Sequence, residues 1–189
     1  SLVDEGLVDG WSDPRMPTLS GLRRRGYTPE AIKDFCERIG VTKRNGTISH
    51  LLLEECLRGN LNTIAPRMMG VFDPIKLTIT NWDKGVEMVE VENNPSDENA
   101  GSRLIPFSGE LFIESEDFRE EANRKYFRLK LGGEVRLKGG YVVKANEVVK
   151  DEDGNVIEVL CTYDPLSKSG MDLGRRIKGT IHWVSREEG

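Results

Sequence analysis

Arginine suits an anionic, planar-accepting partner, because its guanidinium presents a rigid fork of donors that matches phosphate. Between Gly10 and Gly26 stand four arginines, Arg15, Arg23, Arg24 and Arg25, the last three consecutive. Neither a helix nor a strand can turn three successive side chains onto one buried face, so part of this cluster meets water or a partner. A second cluster runs from Arg119 to Lys138, where Arg119, Arg124, Lys125, Arg128, Lys130, Arg136 and Lys138 make seven basic residues against three acidic ones. Tyr126 and Phe127 sit among them. Basic side chains interleaved with rings suit unstacked single-stranded bases: arginine reaches base edges and phosphates, and rings stack. The residues alone leave bland alternatives open, a solvated basic turn for the first cluster and an amphipathic helix with its charges in water for the second.

Other chemistries find little footing. His50 and His182 are the only histidines, and neither has a nucleophile or a metal-ligand spacing beside it. No glycine-rich loop resembles a phosphate cradle; Leu131-Gly132-Gly133 and Lys138-Gly139-Gly140 read as turns. Cys36, Cys56 and Cys161 are odd in number and unpaired in spacing, which argues against a disulfide framework or a zinc site. No apolar run approaches the roughly 20 residues of a membrane span, and Asp4, Glu5 and Asp9 interrupt any leader-like start, so a cytoplasmic location is expected. The net charge of −5 argues mildly against nucleic acid, but its distribution matters more. Asp83 to Asn99 holds six acidic residues against one basic, so an acidic protein can still present one basic face.

The elements that must position these residues fall into two groups. Pro14, Pro17, Gly10, Gly21 and Gly26 keep most of the first arginine stretch from being one regular element. Thr28-Pro29-Glu30 is a helix start, and Ile32, Phe35, Cys36 and Ile39 form one apolar stripe that ends at Gly40, with Cys36 expected in the core. Thr47 is expected to cap a second helix with Ile48, Leu52, Leu53 and Cys56 inward, running to about Asn62, and His50 exposed near its start. Beyond Ala65 the apolar period changes to two. Ile75, Leu77 and Ile79 lead across Asn81–Gly85 to Val89 and Val91, which reads as a hairpin. Glu92 to Gly101 is a polar loop, and Glu110–Ile113 a further strand. Tyr141 to Val149 and Val156 to Tyr163 flank a turn at Asp151–Asn155, a second hairpin. Glu116 to about Arg128 is the one helical candidate in this region. The pattern therefore predicts an α+β chain, a small helical domain over 1–66 and an antiparallel β-barrel over 67–189 with one helix laid across it. Leu2–Val8 reads as the tail of a helix and Ser185–Gly189 follows a strand-like run, so an excised piece of a longer polypeptide is expected, with the barrel incomplete at its C-terminal side.

The residues Gly10-Trp11, Asp13-Pro14-Arg15-Met16-Pro17-Thr18 and Gly21-Leu22-Arg23-Arg24-Arg25-Gly26-Tyr27-Thr28 resemble the segment that follows the KMSKS-type loop in glutaminyl-tRNA synthetases. The similarity continues through Ala65-Pro66-Arg67, Pro106–Glu110, Asp117–Asn123 and Gly179–Ser185, so it covers nearly the whole chain. Eukaryotic-type glutamyl-tRNA synthetases share the Trp, the Asp-Pro-Arg and the paired arginines, whereas Met16 and Leu19–Leu22 resemble the glutaminyl version more. The resemblance implies a helical region that touches the tRNA body, followed by a proximal, ribosomal-protein-like barrel that grips the anticodon. It implies anticodon contacts for Asn62, Arg67, Lys125, Arg128 and Arg136, and tRNA-body contacts for Arg23, Arg24, Arg25, Thr42, Lys43 and Arg44. Lys125 stands where relatives often carry glutamine, and Arg44 where they carry an amide; a lysine reaches phosphate but lacks the amide's paired donor and acceptor. The implied partner is tRNA(Gln), the implied state a monomer. ATP and Mg2+ belong to the full-length enzyme; the HIGH-type and KMSKS signatures are absent from these residues, so no catalytic residue, metal or cofactor is expected in this stretch. The rivals are a glutamyl-tRNA synthetase of eukaryotic or archaeal type and a protein-interaction barrel that docks through the acidic loop.

Overall fold

Each α-helix among the described residues begins at a hydroxyl residue whose side chain accepts an otherwise unpaired backbone amide. Thr18 takes the amide of Gly21 (3.0 Å) and starts α1, Leu19–Arg24. Thr28 takes that of Ala31 (3.2 Å) and starts α2, Pro29–Ile39, with proline in its first turn. Ser49 takes that of Leu51 (3.3 Å) and starts α3, His50–Ile64. These observations come from a computed structural model that describes residues 1–43 and 46–186. It divides into two units, Ser1–Pro66 with Asn94–Asn99, and Arg67–Asn93 with Ala100–Gly189.

In the first unit the arginine stretch is organised by a buried carboxylate. Asp13 accepts the backbone amides of Asp9 (3.0 Å) and Arg15 (2.8 Å) and the Arg15 guanidinium (3.0 and 2.7 Å). The side-chain bond to Arg15 and then the amides hold its carboxyl well below the usual range. Gly21 lies so close to the Met16 and Asp13 carbonyls that a Cβ would meet them at 2.3 and 2.7 Å. The Thr28 hydroxyl donates to Asn60 Oδ1 (2.7 Å), tying the start of α2 to α3. Three expectations are corrected here. Residues 2–8 form turns rather than a helix, with Leu7 N bonded to Leu2 O (3.0 Å). The cap of α3 is Ser49 instead of Thr47, because the Ser49 hydroxyl is the one that reaches the first-turn amide. Cys36 is exposed, since the face of α2 that turns inward centres on Ala31; Cys56 on α3 is buried as expected.

The second unit is built on one seven-stranded sheet. Its strands are β1 (Pro74–Ile79), β4 (Glu110–Glu114), β7 (Glu134–Leu137), β8 (Val142–Lys150), β9 (Val156–Tyr163), β10 (Thr180–Ile181) and β11 (Val184–Ser185), in the order β10-β7-β8-β9-β1-β4-β11. Strands β10 and β11 lie at opposite ends of that order, yet only His182 and Trp183 separate them. Three residue steps reach at most about 11 Å, so the sheet must curl until its two edges approach, which is the barrel the period-two pattern predicts. Most pairings are antiparallel, while β1/β9 and β7/β10 are parallel. The inward residues Leu77, Leu111, Ile113, Val135, Leu137, Val143, Val159 and Ile181 are fully buried, with Trp183 and Tyr141 nearly so. The β8–β9 hairpin forms as the sequence predicts.

Two elements differ from the sequence reading. β1 does not pair with β2 (Glu87–Glu92): both edges of β1 are occupied, by β4 and β9, and Asn81 is bonded through its side chain to the Tyr163 backbone (2.9 and 3.1 Å). β2 instead pairs with β3, Ser102–Phe107, across the polar loop. The helix expected over 116–128 is absent. A helix would separate residues 118 and 129 by about 16 Å. The chain instead pairs Phe118 with Leu129 as the parallel strands β5 (Phe118–Arg119) and β6 (Leu129–Lys130), and both side chains are buried.

Candidate nucleic-acid interface

Replacing the expected helix with a loop pinned at both ends decides how the second basic cluster is displayed. The pin is Asp117, whose buried carboxylate forms an ion pair with the Arg128 guanidinium. Burial pushes this carboxyl above its usual value, and Arg128 opposes the rise. The Arg128 side chain remains 51% exposed, so it is paired to Asp117 and still reachable from solvent. Charge-assisted pairing of this kind fixes a long side chain that would otherwise lose rotamer entropy on binding.

Gly179 joins this loop to β7. It packs against Phe127 so closely that a Cβ would sit 2.1 Å from the Phe127 carbonyl oxygen, and its own carbonyl accepts the Arg136 amide (3.0 Å). The Arg136 guanidinium donates to the Ser167 carbonyl (2.7 Å), while the buried Ser167 hydroxyl accepts the Val142 amide (2.8 Å). One residue pair further along, Lys138 N donates to Ile181 O (3.1 Å), and the Lys138 carbonyl accepts the Trp183 indole (2.8 Å). Between them His182 is held below its usual value by the packing around it and by Lys138 and Arg128, with Asp117 opposing. Arg128, Arg136, Lys138, His182 and Phe127 therefore gather along the segment 178–182. The Lys178 ammonium lies 6.0 Å from the Phe127 ring centroid, and the Arg119 guanidinium 4.8 Å from that of Tyr126.

The remaining expected site residues are placed as follows. Lys125 is exposed on the pinned loop, its amide bonded to Asn123 Oδ1 (2.9 Å). Arg67 is half-buried near the β2–β3 ribbon: its amide donates to Asn93 O (2.5 Å) and its carbonyl accepts Arg103 (2.7 Å). In the first unit, Asn62 is exposed on the last turns of α3. Arg23 and Arg24 are exposed at the end of α1, where Arg24 donates to the Ser12 carbonyl (3.1 Å), and the Arg25 guanidinium lies 5.3 Å from the Tyr27 ring centroid. Thr42 and Lys43 are exposed on the connection after α2; Arg44 lies outside the described residues.

Sequence reasoning passed over Asp117, Lys178, His182 and the segment that carries Ser167. One signal was present for the last: Lys168, Arg175, Arg176 and Lys178 give four basic residues against one acidic between Pro165 and Gly179. Asp117 had no such signal, because a carboxylate beside Glu116, Glu120 and Glu121 reads as one more surface acid. Among the described residues no group of three His, Cys, Asp or Glu is arranged to hold a metal ion, and no helix is long and apolar enough to cross a membrane.

A curled seven-stranded sheet with a pinned basic loop is the setting in which the comparisons with known proteins fall. Residues 65–164 match the anticodon-binding domain of class I (E and Q) tRNA synthetases, and residues 1–63 match the catalytic domain of the same group. The chain belongs to the class I (E and Q) tRNA synthetase family. Among individual relatives it is 68% identical over 188 residues to a glutamine–tRNA ligase of Rhodopirellula baltica, covering 98% of this chain and 31% of the relative. It is 59% identical over 185 residues to a glutamine–tRNA ligase of Clostridium perfringens (97% and 34%), and 57% identical over 191 residues to one of Vibrio cholerae (100% and 34%). The chain thus spans about a third of the length of the curated relatives it matches.

Proposed function

We propose that this chain is the tRNA-binding, anticodon-recognising portion of a glutamine–tRNA ligase. The observation that carries the reading is the 68% identity to a glutamine–tRNA ligase along 98% of the chain. The clustering of Arg128, Arg136, Lys138 and Lys178 on one face of the second unit supports it. In this reading residues 67–189 grip the anticodon loop, with Arg128 and Arg136 reading base edges and Lys125 and Arg67 holding phosphate. Residues 1–66 meet the tRNA body through Arg23, Arg24, Arg25, Thr42, Lys43 and Arg44, and Asn62 approaches the anticodon. Arginine does the reading because its paired donors match the acceptors on a base edge, whereas lysine acts as a point charge.

The whole protein then joins glutamine to tRNA(Gln) with ATP and magnesium, as a cytoplasmic monomer. This chain by itself carries no glutamine-dependent ATP–pyrophosphate exchange. The test is a binding titration at low salt against tRNA(Gln), tRNA(Glu) and tRNA(Gln) with an exchanged anticodon. The reading requires tRNA(Gln) to bind tightest and the anticodon exchange to weaken it about 10-fold or more, each misread base costing about 1–3 kcal/mol. Equal affinity for all three would reject it.

A further inference from the structure

We propose that Phe127 is a stacking platform for one unpaired base of the bound RNA loop, an assignment that rests on the reading of this face as an RNA surface. Scattered exposed apolar residues are ordinary and call for no explanation. Phe127 differs in how its surroundings are built. On one side the Tyr126 hydroxyl donates to the Glu116 carbonyl (2.9 Å). On the other, Arg128 is paired to buried Asp117, and Leu129 is fully buried in its pairing with Phe118. The Phe127 carbonyl itself is packed against Gly179. Every neighbour is anchored, yet Phe127 is 53% exposed. The backbone therefore presents the ring to solvent from a fixed position, so little ordering is needed when a flat partner arrives.

The chemistry around the ring selects the partner. The Lys178 ammonium lies over the ring, 6.0 Å from its centroid, Arg128 follows in sequence with its side chain half exposed, and Lys125 precedes it by two residues, exposed. The buried centre of a protein–protein contact is depleted in charge, which does not describe this setting. An exposed apolar residue with one ammonium over its ring and further basic residues beside it in sequence fits a nucleobase, which stacks on the ring while its flanking phosphates meet the cations. Phenylalanine has no hydrogen-bonding group, so it accepts any base and contributes affinity without discrimination. Arg128, beside it, would supply the discrimination.

The test uses this chain with an anticodon stem-loop RNA of tRNA(Gln) that carries 2-aminopurine at successive loop positions, one per probe. For the unmodified chain, binding should quench the fluorophore at one loop position. Phe127→Ala should abolish that quench and weaken binding roughly 5- to 150-fold, by a similar factor for cognate and anticodon-swapped loops. Its salt dependence should not change, because no phosphate contact is lost. Phe127→Trp should retain both affinity and quench, and Phe127→Leu, which keeps apolar volume without a π-face, should lose the quench. Should Phe127→Ala and Phe127→Leu both match the unmodified chain while Lys178→Ala weakens binding, the face binds RNA but the platform does not exist. Absence of RNA binding by the unmodified chain at low salt would instead reject the RNA reading, and the platform with it.

Discussion

Asp117→Asn separates two accounts of the basic face, because they give it opposite signs. If the face is only an electrostatic grip, removing a negative charge can only help. A carboxylate roughly 8 Å from a phosphate repels it by about 0.5 kcal/mol in water-like surroundings, so every RNA should bind about twofold tighter. If Asp117 positions Arg128, the asparagine exchanges a charge-assisted bond for a weaker neutral one and loosens the guanidinium, and a bidentate read of a base edge is worth about 1–3 kcal/mol. Cognate stem-loop should then lose about 0.5–2.5 kcal/mol net, while an anticodon-swapped one gains the electrostatic 0.5, so the ratio between them falls by about 5-fold or more. The fold should tolerate the change. Burial holds the Asp117 carboxyl above its usual value, which means the folded state already disfavours its charged form. The Arg128 left behind is 51% exposed and can hydrate, so stability should move by less than about 1 kcal/mol. Anisotropy titrations of both stem-loops at low salt measure the ratio, and a urea melt checks the fold. An unchanged ratio, with both RNAs binding tighter, would refute the positioning role.

Three further outcomes follow from packing and protonation. Gly179→Ala forces a Cβ to within 2.1 Å of the Phe127 carbonyl oxygen, and should cost about 1–3 kcal/mol in urea unfolding; a stability like that of the parent would contradict the close approach. Alkylation at about pH 8 should label Cys36 first, since burial pushes the Cys161 thiol up to about 12 and also raises Cys56; rapid labelling of Cys161 in the folded chain would show an open core. His182 is held below its ordinary value of 6.5 in the folded state, so below that pH the unfolded chain binds more protons and stability declines with acidity. His182→Gln should flatten the decline just below pH 6.5, and an identical pH profile for both forms would remove His182 from the cluster.

The parts legible in the sequence were those whose signal is local. Thr28-Pro29-Glu30 announces α2 because capping needs only neighbouring residues, and Asp151–Asn155 announces the β8–β9 hairpin because a short turn fixes its own partner. Period two in Ile75, Leu77 and Ile79 gave the buried face of β1 but not its partners, since alternation says nothing about which strand lies alongside. The helix expected over Glu116 to about Arg128 failed for a related reason. The pairing and burial of Phe118 and Leu129, eleven residues apart, overrode local preference. The arginines of the candidate interface were visible by type. What holds them, Asp117, Ser167 and Gly179, was not, because each acts through folded-state contacts that leave no mark on composition.

The most direct measurement of the central claim is ultraviolet crosslinking of this chain to tRNA(Gln), with the linked peptides and nucleotides both identified. The account places crosslinks from the second unit on residues 119–138 and 175–182, joined to nucleotides of the anticodon loop, with Phe127 and its neighbours prominent. Crosslinks from that unit confined to the acidic β2–β3 ribbon, or loop nucleotides that react as in free tRNA, would contradict it.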